Sequence, residues 1–449
     1  MIKVITYGTY DLLHRGHIRL LERAKALGDY LVVGVTADDF DKKRGKINVQ
    51  QSLMERIEAV RAVGIADEII IEEYEGQKID DIRRYDIDVF TVGSDWEGKF
   101  DYLNDYCRVV YLPRTEGISS SDLRANNRKL IIGIIGEPTY LMKFVRECRY
   151  VNGVEIACMY TSNLPVKGRR GSFLQGIDLV KQYSDMLKLV DAVYIVSHPT
   201  QHYEQIKLAL TAGKHVLCEM PITVDRQQCE ELFELADKQG VLLTGALKTA
   251  YSTAYDRFLL LVKSGQIGDV ISVDATCTSQ KEVSNIDQLQ RFETWNSLCS
   301  WGPVAMLPIF QLLGTGFVKK HITSKVLSKD SCFDLFTKID FFYPHAVASI
   351  KVGKGVKSEG ELVVSGTNGY VYIPAPWWKT DYFEIRHEDM NDNKRYFYQL
   401  DGEGIRYEIV AFAKSIESGK PSTYIEKCTA VAISSVIGDF YSGNDVTIL

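Results

Sequence analysis

The apolar run Ile2 to Thr6 leads straight into Tyr7-Gly8-Thr9-Tyr10-Asp11-Leu12-Leu13-His14-Arg15-Gly16-His17, and Ile18 to Ala24 then carries helical spacing. A buried strand that turns at once into a helix commits a chain to alternating layers, because the helix must pack back over the strand. The same turn is chemically marked. Free backbone N–H groups and the helix dipole both point outward there, so it collects anions, and it carries two histidines three residues apart with Gly16 beside the second. The alternation continues. Tyr30 to Val35 reads as a β-branched strand, Gln51 to Val63 as a helix, Glu68 to Ile71 as a strand, Lys78 to Arg84 as a helix, and Asp88 to Val92 and Val109 to Leu112 as strands. This pattern predicts an α/β domain with a parallel sheet and helices on both faces.

Ligands of such sheets bind outside the carboxyl ends of the strands. Three polar turns fall there: the His14/His17 turn, Gly93-Ser94-Asp95-Trp96, and Pro113 to Ser121. Two imidazoles and Arg114 suit charge that develops on phosphoryl oxygens. Ile118 to Ser121 opens a further helical pattern, Ser121-Asp122-Leu123-Arg124, whose N–H groups and hydroxyls can hold a phosphate. The chain contains no Walker A motif, which excludes a P-loop enzyme.

At 449 residues the chain is too long for one core, and two or three domains are expected. A formal charge of −6 gives no basis for a nucleic-acid partner. No apolar run reaches the roughly 20 residues of a membrane span, so no membrane insertion is expected. Met1 to Val4 enter a strand directly and no signal peptide is read. The nine cysteines are scattered without a CxxC pair, which reads as reduced thiols in a cytoplasmic protein with no zinc site.

Tyr7 to His17, Gly93 to Phe100 and Arg114-Thr115-Glu116-Gly117-Ile118-Ser119 together resemble the glycerol-3-phosphate cytidylyltransferase family of the HxGH nucleotidyltransferase superfamily. The resemblance implies transfer of CMP from CTP to a polyol phosphate with release of pyrophosphate. Mg²⁺ would ride on the nucleotide phosphates, with no metal ligand from protein side chains. By the same resemblance His14, His17 and Arg114 are catalytic. Thr9, Tyr10, Gly16, Lys46, Thr115, Glu116, Gly117, Ile118, Ser119, Ser120 and Ser121 would bind CTP, and Arg44 and Lys78 the acceptor phosphate. A solvated basic loop stays open as the reading of Lys42 to Lys46, an exposed helix residue as that of Lys78, and core packing as that of Trp96. Three departures fall on the acceptor side. Ser94-Asp95 replaces a family pair of aspartates, a family arginine falls near Gly64, with Arg61 close by, and the loop after Glu72 differs.

At Leu130 a second alternation begins. Leu130 to Gly136, Val154 to Tyr160, Ala192 to Ser197 and His215 to Glu219 read as strands with helical segments between them, a dinucleotide-binding type of unit. From Gly268 onward alternating strands follow: Ile271 to Thr276, Lys338 to Phe342, Ala346 to Val352, Gly360 to Ser365 and Tyr370 to Ile373. Asp191 to Tyr203, Ala212 to Pro221 and the turn Gly366-Thr367-Asn368-Gly369 resemble the Gfo/Idh/MocA oxidoreductase family. That implies a Rossmann-type domain followed by an α+β domain with an open antiparallel sheet. The expected boundaries are 1–129, 130–250 and 251–449. NAD(P) is the implied cofactor, with Gly133, Gly136, Arg169, Pro199, His202 and Glu219 as its candidate contacts. A solvated loop remains open for Lys167 to Arg170, and a structural role for His202. The redox chemistry is eroded. The family's Glu-Lys-Pro lysine is Met220, and a thioether transfers no proton. The family's later Asp and His/Tyr pair is missing from Trp301 to Leu313. Lys248 or His202 are possible replacements.

Two functions therefore stay open for the second half. It either makes the polyol phosphate from a keto-sugar phosphate, giving a bifunctional enzyme for cell-surface polysaccharide precursors, or it is a non-catalytic binding, regulatory or dimerisation module. A homodimer is expected from both resemblances.

Overall fold

A computed structural model describes residues 1–37, 49, 51, 53–74, 76–113, 129–136, 138–151, 153–161, 177–280, 295–328, 332–398, 400, 402–421 and 424–449. They form two compact units, Met1–Lys129 and Leu130–Leu449.

The first unit is built on five parallel strands in the order Glu68–Glu72, Tyr30–Thr36, Lys3–Gly8, Val89–Gly93, Arg108–Leu112. Both faces are covered, as a parallel sheet requires. Val4, Leu31 and Val33 pack with Leu21 and Val60 on one face, while Ile5, Val32 and Phe90 pack with Ile82 and Leu103 on the other. Chain order runs outward from Lys3–Gly8 in one direction and then restarts at Val89–Gly93 in the other. The carboxyl ends of these two neighbouring strands thus border the switch point where such sheets hold ligands. Gly8 and Gly93 end those strands.

The second unit contains two sheets. The first has six parallel strands in the order Leu243–Ala246, His215–Glu219, Ala192–Val196, Leu130–Gly136, Val154–Tyr160, Asp178–Leu179. Its switch point lies between Leu130–Gly136 and Ala192–Val196. The second sheet has nine strands in the order Lys394–Phe397, Tyr382–Arg386, Gly369–Ile373, Leu362–Gly366, Val270–Thr278, Val347–Gly353, Asp334–Phe342, Lys319–Val326, Val446–Ile448. The sequence predicts an antiparallel sheet here, and the sheet is mixed. Val270–Thr278 pairs parallel with Val347–Gly353, and Lys319–Val326 pairs parallel with Val446–Ile448. The cause is a crossover. Helix Ser297–Leu313 lies between Val270–Thr278 and the next strand, so that strand is not hairpin-joined to its later neighbour. The helix is nearly all buried, including Pro303 and Pro308 within it.

Candidate functional site

At the carboxyl end of Lys3–Gly8 the chain makes a tight descent into helix Arg15–Lys25, with Tyr10 and Leu12 both in the left-handed region (φ 53 and 48). Neither is glycine, so the turn is held by its surroundings. The Gln51 N–H donates to Asp11 Oδ1 at 2.9 Å, and the Leu12 N–H donates to Gln51 Oε1 at 2.8 Å. Arg56 sits beneath the turn, fully buried. Its Nη1 donates to the Thr9 carbonyl at 2.7 Å and the Thr36 carbonyl at 2.8 Å, and its Nε to the Gln51 carbonyl at 3.1 Å. One guanidinium thus ties together the ends of two strands and the loop that caps the turn.

His14 caps the helix: its Nδ1 accepts from the Gly16 N–H at 3.0 Å. With that nitrogen accepting, the neutral ring carries its proton on Nε2, which is then a donor. His17 stacks on His14, with ring centroids 3.9 Å apart, and meets the edge of Tyr10 at 5.5 Å. Tyr10 is buried, and burial pushes its phenol well above the usual range. The site is therefore a pair of half-buried imidazoles at a helix N-terminus, a geometry suited to negative charge on a phosphoryl group.

A charged network lies beyond it on the same strand ends. Glu72 ends its strand fully buried, pairs with the Lys78 ammonium, and accepts from the Thr36 hydroxyl at 2.8 Å. That ammonium also sits 4.6 Å from the centre of the Tyr7 ring. The Tyr7 hydroxyl donates to Asp81 Oδ2 at 2.8 Å, and burial together with Asp81 raises its pKa far above the usual value. Lys78, readable from sequence as an exposed helix residue, is instead 7 % exposed and ion-paired. Arg61 lies on the solvent side of its helix and pairs with Glu58. Trp96 packs against Phe100 at 5.8 Å with Lys99 over its ring. Arg44, Lys46 and Arg114 to Ser121 lie outside the described residues.

In the second unit Gly136 ends its strand at φ 137, and a Cβ there would stand 2.7 Å from the Val196 carbonyl group. Glycine is needed for this close crossing at the switch point, the position where the pyrophosphate of a dinucleotide approaches backbone. Gly133 has a different reason: a Cβ would strike Met186 at 2.7 Å, so its bareness serves packing. Pro199 opens helix Pro199–Thr211 behind the cap His198, whose Nδ1 accepts from the Thr200 N–H. His202 is fully buried. Its ring nitrogens lie 2.9 Å from the Pro221 and Ser197 carbonyls, and burial drives its pKa down to about 4. It ties two loops together and presents no nitrogen to a ligand. Arg169 lies outside the described residues.

A cavity of about 580 Å³ opens beside Val196, Glu219 and Met220, at the carboxyl ends of their strands, and is also lined by Lys248, Trp301 and Trp378. Glu219 accepts from the Tyr194 hydroxyl at 2.6 Å. Burial raises its pKa, and burial next to Glu219 raises that of Glu408. Met220, 2 % exposed, packs its sulfur against Gly245. Of the two residues considered as replacements for the missing lysine, the structure places Lys248 on the cavity and His202 away from its lining. Arg56 and the indole wall went unnoticed in the sequence. A basic residue within the helix pattern of Leu53–Val63 reads as surface, and Trp301 lies far from its neighbours along the chain.

Comparison with known proteins follows this division. Residues 5–126 match the family described as cytidylyltransferase-like, and residues 130–246 the oxidoreductase family with an NAD-binding Rossmann fold. The glycerol-3-phosphate cytidylyltransferase of Bacillus subtilis is 54 % identical over 124 residues, covering 28 % of this chain and 95 % of that enzyme. That of Staphylococcus aureus is 50 % identical over 127 residues, covering 28 % of this chain and 93 % of that enzyme. In the second half, the scyllo-inositol 2-dehydrogenase (NADP(+)) of Bacillus subtilis is 30 % identical over 123 residues, or 26 % of this chain and 37 % of that enzyme. A 3-ketoreductase from Actinomadura kijaniata, solved with NADP and TDP-benzene, shares the fold at a TM-score of 0.60 and 20 % identity, over 72 % of this chain and all of that one.

Proposed function

Because the chain belongs to the glycerol-3-phosphate cytidylyltransferase family through its first unit and carries an oxidoreductase-family domain from residue 130, we propose that it makes a CDP-polyol in two steps. In the nucleotidyl step an oxygen of the acceptor's phosphate attacks the α-phosphorus of CTP in line. The new O–P bond forms as the bond to the β-phosphate breaks, and pyrophosphate leaves. His14, donating through Nε2, and His17 stabilise the charge spread over the transferred phosphoryl oxygens. Thr9, Tyr10 and Gly16 shape the pocket that these rings face. Arg114, Lys46 and Thr115 to Ser121 complete the contacts to the triphosphate. Arg56 acts as a positioning residue, since it fixes the Thr9 turn without facing the nucleotide. Arg44 takes the acceptor phosphate, and Lys78 joins it by leaving Glu72. Mg²⁺ rides on the CTP phosphates, as the family resemblance implies. The observation that carries this reading is the stacked His14–His17 pair at a helix N-terminus beside the switch point.

The second unit fits a nicotinamide dinucleotide at its own switch point, where Gly136 gives the bare backbone and the Pro199 helix start its N–H groups. A nicotinamide cofactor held there would supply the hydride for reduction of a keto-sugar phosphate carbonyl, with the proton for its oxygen coming from Lys248 on the cavity or from solvent, and the resulting polyol phosphate would be the acceptor of the first step. A specific observation favours the other reading, a non-catalytic module: Met220 occupies the lysine position and cannot move a proton. Two assays separate these readings. Pyrophosphate release from CTP, measured across glycerol, pentitol and hexitol phosphates, tests the first unit. Loss of NADPH absorbance with keto-sugar phosphates tests the second, and no loss with any of them leaves the module.

A further inference from the structure

The cavity of the second unit is ringed by cations that come from separate elements. Lys143 belongs to helix Pro138–Cys148, Lys248 to the short turn Lys248–Tyr251, and Lys379 to the short turn Trp377–Lys379. All three converge on one carboxylate. Lys248 Nζ lies 2.5 Å and Lys143 Nζ 3.1 Å from Glu403 Oε2, and Lys379 Nζ lies 2.7 Å from Oε1. A fourth lysine, Lys354, lines the same cavity. Burial raises the pKa of Glu219 and of Glu408 behind it, and Glu219 raises that of Glu408 further. Glu403 is the carboxylate that the three ammonium groups share, and three exceed what one carboxylate neutralises.

Glu403 is also held in an unfavourable way. It is left-handed (φ 55) between Gly402 and Gly404, which are left-handed too. A Cβ on Gly404 would meet the Lys248 carbonyl at 2.7 Å, so the turn is pressed against the lysines it serves. Its side chain remains 35 % exposed and has solvent to swing into. Two polar atoms of the cavity wall, Trp301 Nε1 and Ser279 Oγ, are buried with no hydrogen-bond partner among the described residues. By contrast the neighbouring Trp377 indole donates to the Thr276 carbonyl at 3.0 Å. Buried donors are ordinarily satisfied, so the orphaned pair marks a place for ligand oxygens.

We propose that this cavity binds a phosphorylated polyhydroxy compound whose phosphate replaces the Glu403 carboxylate on Lys143, Lys248 and Lys379, while its hydroxyl or carbonyl oxygens meet Trp301 Nε1 and Ser279. A phosphomonoester carries nearly two charges at neutral pH and three acceptor oxygens, one for each lysine. The volume of about 580 Å³ suits a ligand of sugar-phosphate size. Glu403 keeps the lysines together until the phosphate arrives and limits the site to ligands that compete with a carboxylate. The site stands whether the second unit reduces this ligand or only binds it.

The test is a fluorescence titration of the full chain carrying Trp96→Phe, which leaves every indole in the second unit. NADPH and CTP are omitted, so failure of the redox reading does not touch the result. The probes are ketose and polyol phosphates of three to six carbons, each beside its unphosphorylated counterpart, together with gluconate and inorganic phosphate. At least one phosphorylated probe is expected to bind about tenfold or more tighter than its counterpart and than gluconate, with inorganic phosphate competing. Glu403→Gln is expected to tighten the phosphorylated probe several-fold and leave the counterpart unchanged. If Glu403→Gln does not fold, Lys379→Met is expected to weaken only the phosphorylated probe, by about tenfold. Equal binding of every pair, binding of gluconate as tight as that of the phosphates, or weaker phosphate binding in Glu403→Gln would overturn the proposal.

Discussion

His14 and His17 are legible as a candidate pair because everything that defines them is local: a strand, a turn and a helix start within a few residues. Replacing His17 with Ala is expected to lower CTP-dependent pyrophosphate release by about 10²–10³-fold at unchanged thermal stability. A variant with near-wild-type turnover would remove the imidazole from the mechanism. Arg56 was illegible for the opposite reason. Its three acceptor carbonyls, on Thr9, Thr36 and Gln51, come together only once the sheet has formed. Arg56→Met should strand those carbonyls and cost about 3–5 kcal/mol in urea unfolding, with KM for CTP rising in whatever folds. His202 is open to two readings in the sequence, and its full burial with both ring nitrogens against carbonyls supports the structural one. Its folded pKa of about 4 lies below the ordinary 6.5. The unfolded chain therefore binds the extra proton first, and stability falls as pH drops from 6.5 toward 4, by at most about 3 kcal/mol. Comparing unfolding of the wild type with that of His202→Gln across this range isolates the effect, since the variant should show a flatter slope.

At the scale of elements, the central parallel strands of both units were readable because they are buried on two faces and so are continuous apolar runs, as in Val4-Ile5 and Ile134-Ile135, whereas the short edge strands Asp178–Leu179 and Leu243–Ala246 were not. The mixed character of the nine-stranded sheet was not. Alternation within a strand says which side chains face the core, but not which neighbour the strand pairs with. That choice was made by helix Ser297–Leu313, which lies between Val270–Thr278 and the next strand. Strand ends carry the more useful information. Gly136 is expected as a cofactor residue from a glycine pattern alone, and the structure gives it a φ of 137 and a close approach to Val196 that admit no Cβ. Gly136→Ala is expected to destabilise the chain by about 2 kcal/mol in chemical denaturation and to weaken NADPH binding in parallel. Loss of stability with unchanged NADPH affinity would confine this glycine to packing.

For the whole molecule, the two units differ in what their sequences disclose. The first carries its candidate site residues in contiguous motifs, and its glycerol-3-phosphate cytidylyltransferase relatives are matched almost end to end. The second keeps its fold while Met220 stands at the lysine position. Its cavity is assembled from Lys143, Lys248, Lys379 and Glu403, separated by up to 260 residues, a juxtaposition that no spacing rule could have found. The two-step account joins these units through a shared polyol phosphate. The most direct test supplies the full chain with CTP, Mg²⁺ and a keto-sugar phosphate, with and without NADPH, and identifies the nucleotide products by mass spectrometry. The expected result is a CDP-polyol that forms only when NADPH is present, and that also forms without NADPH when the matching polyol phosphate is supplied. A chain that yields no CDP-product from any polyol phosphate, or that transfers CMP to the keto-sugar phosphate itself without reduction, would contradict the account.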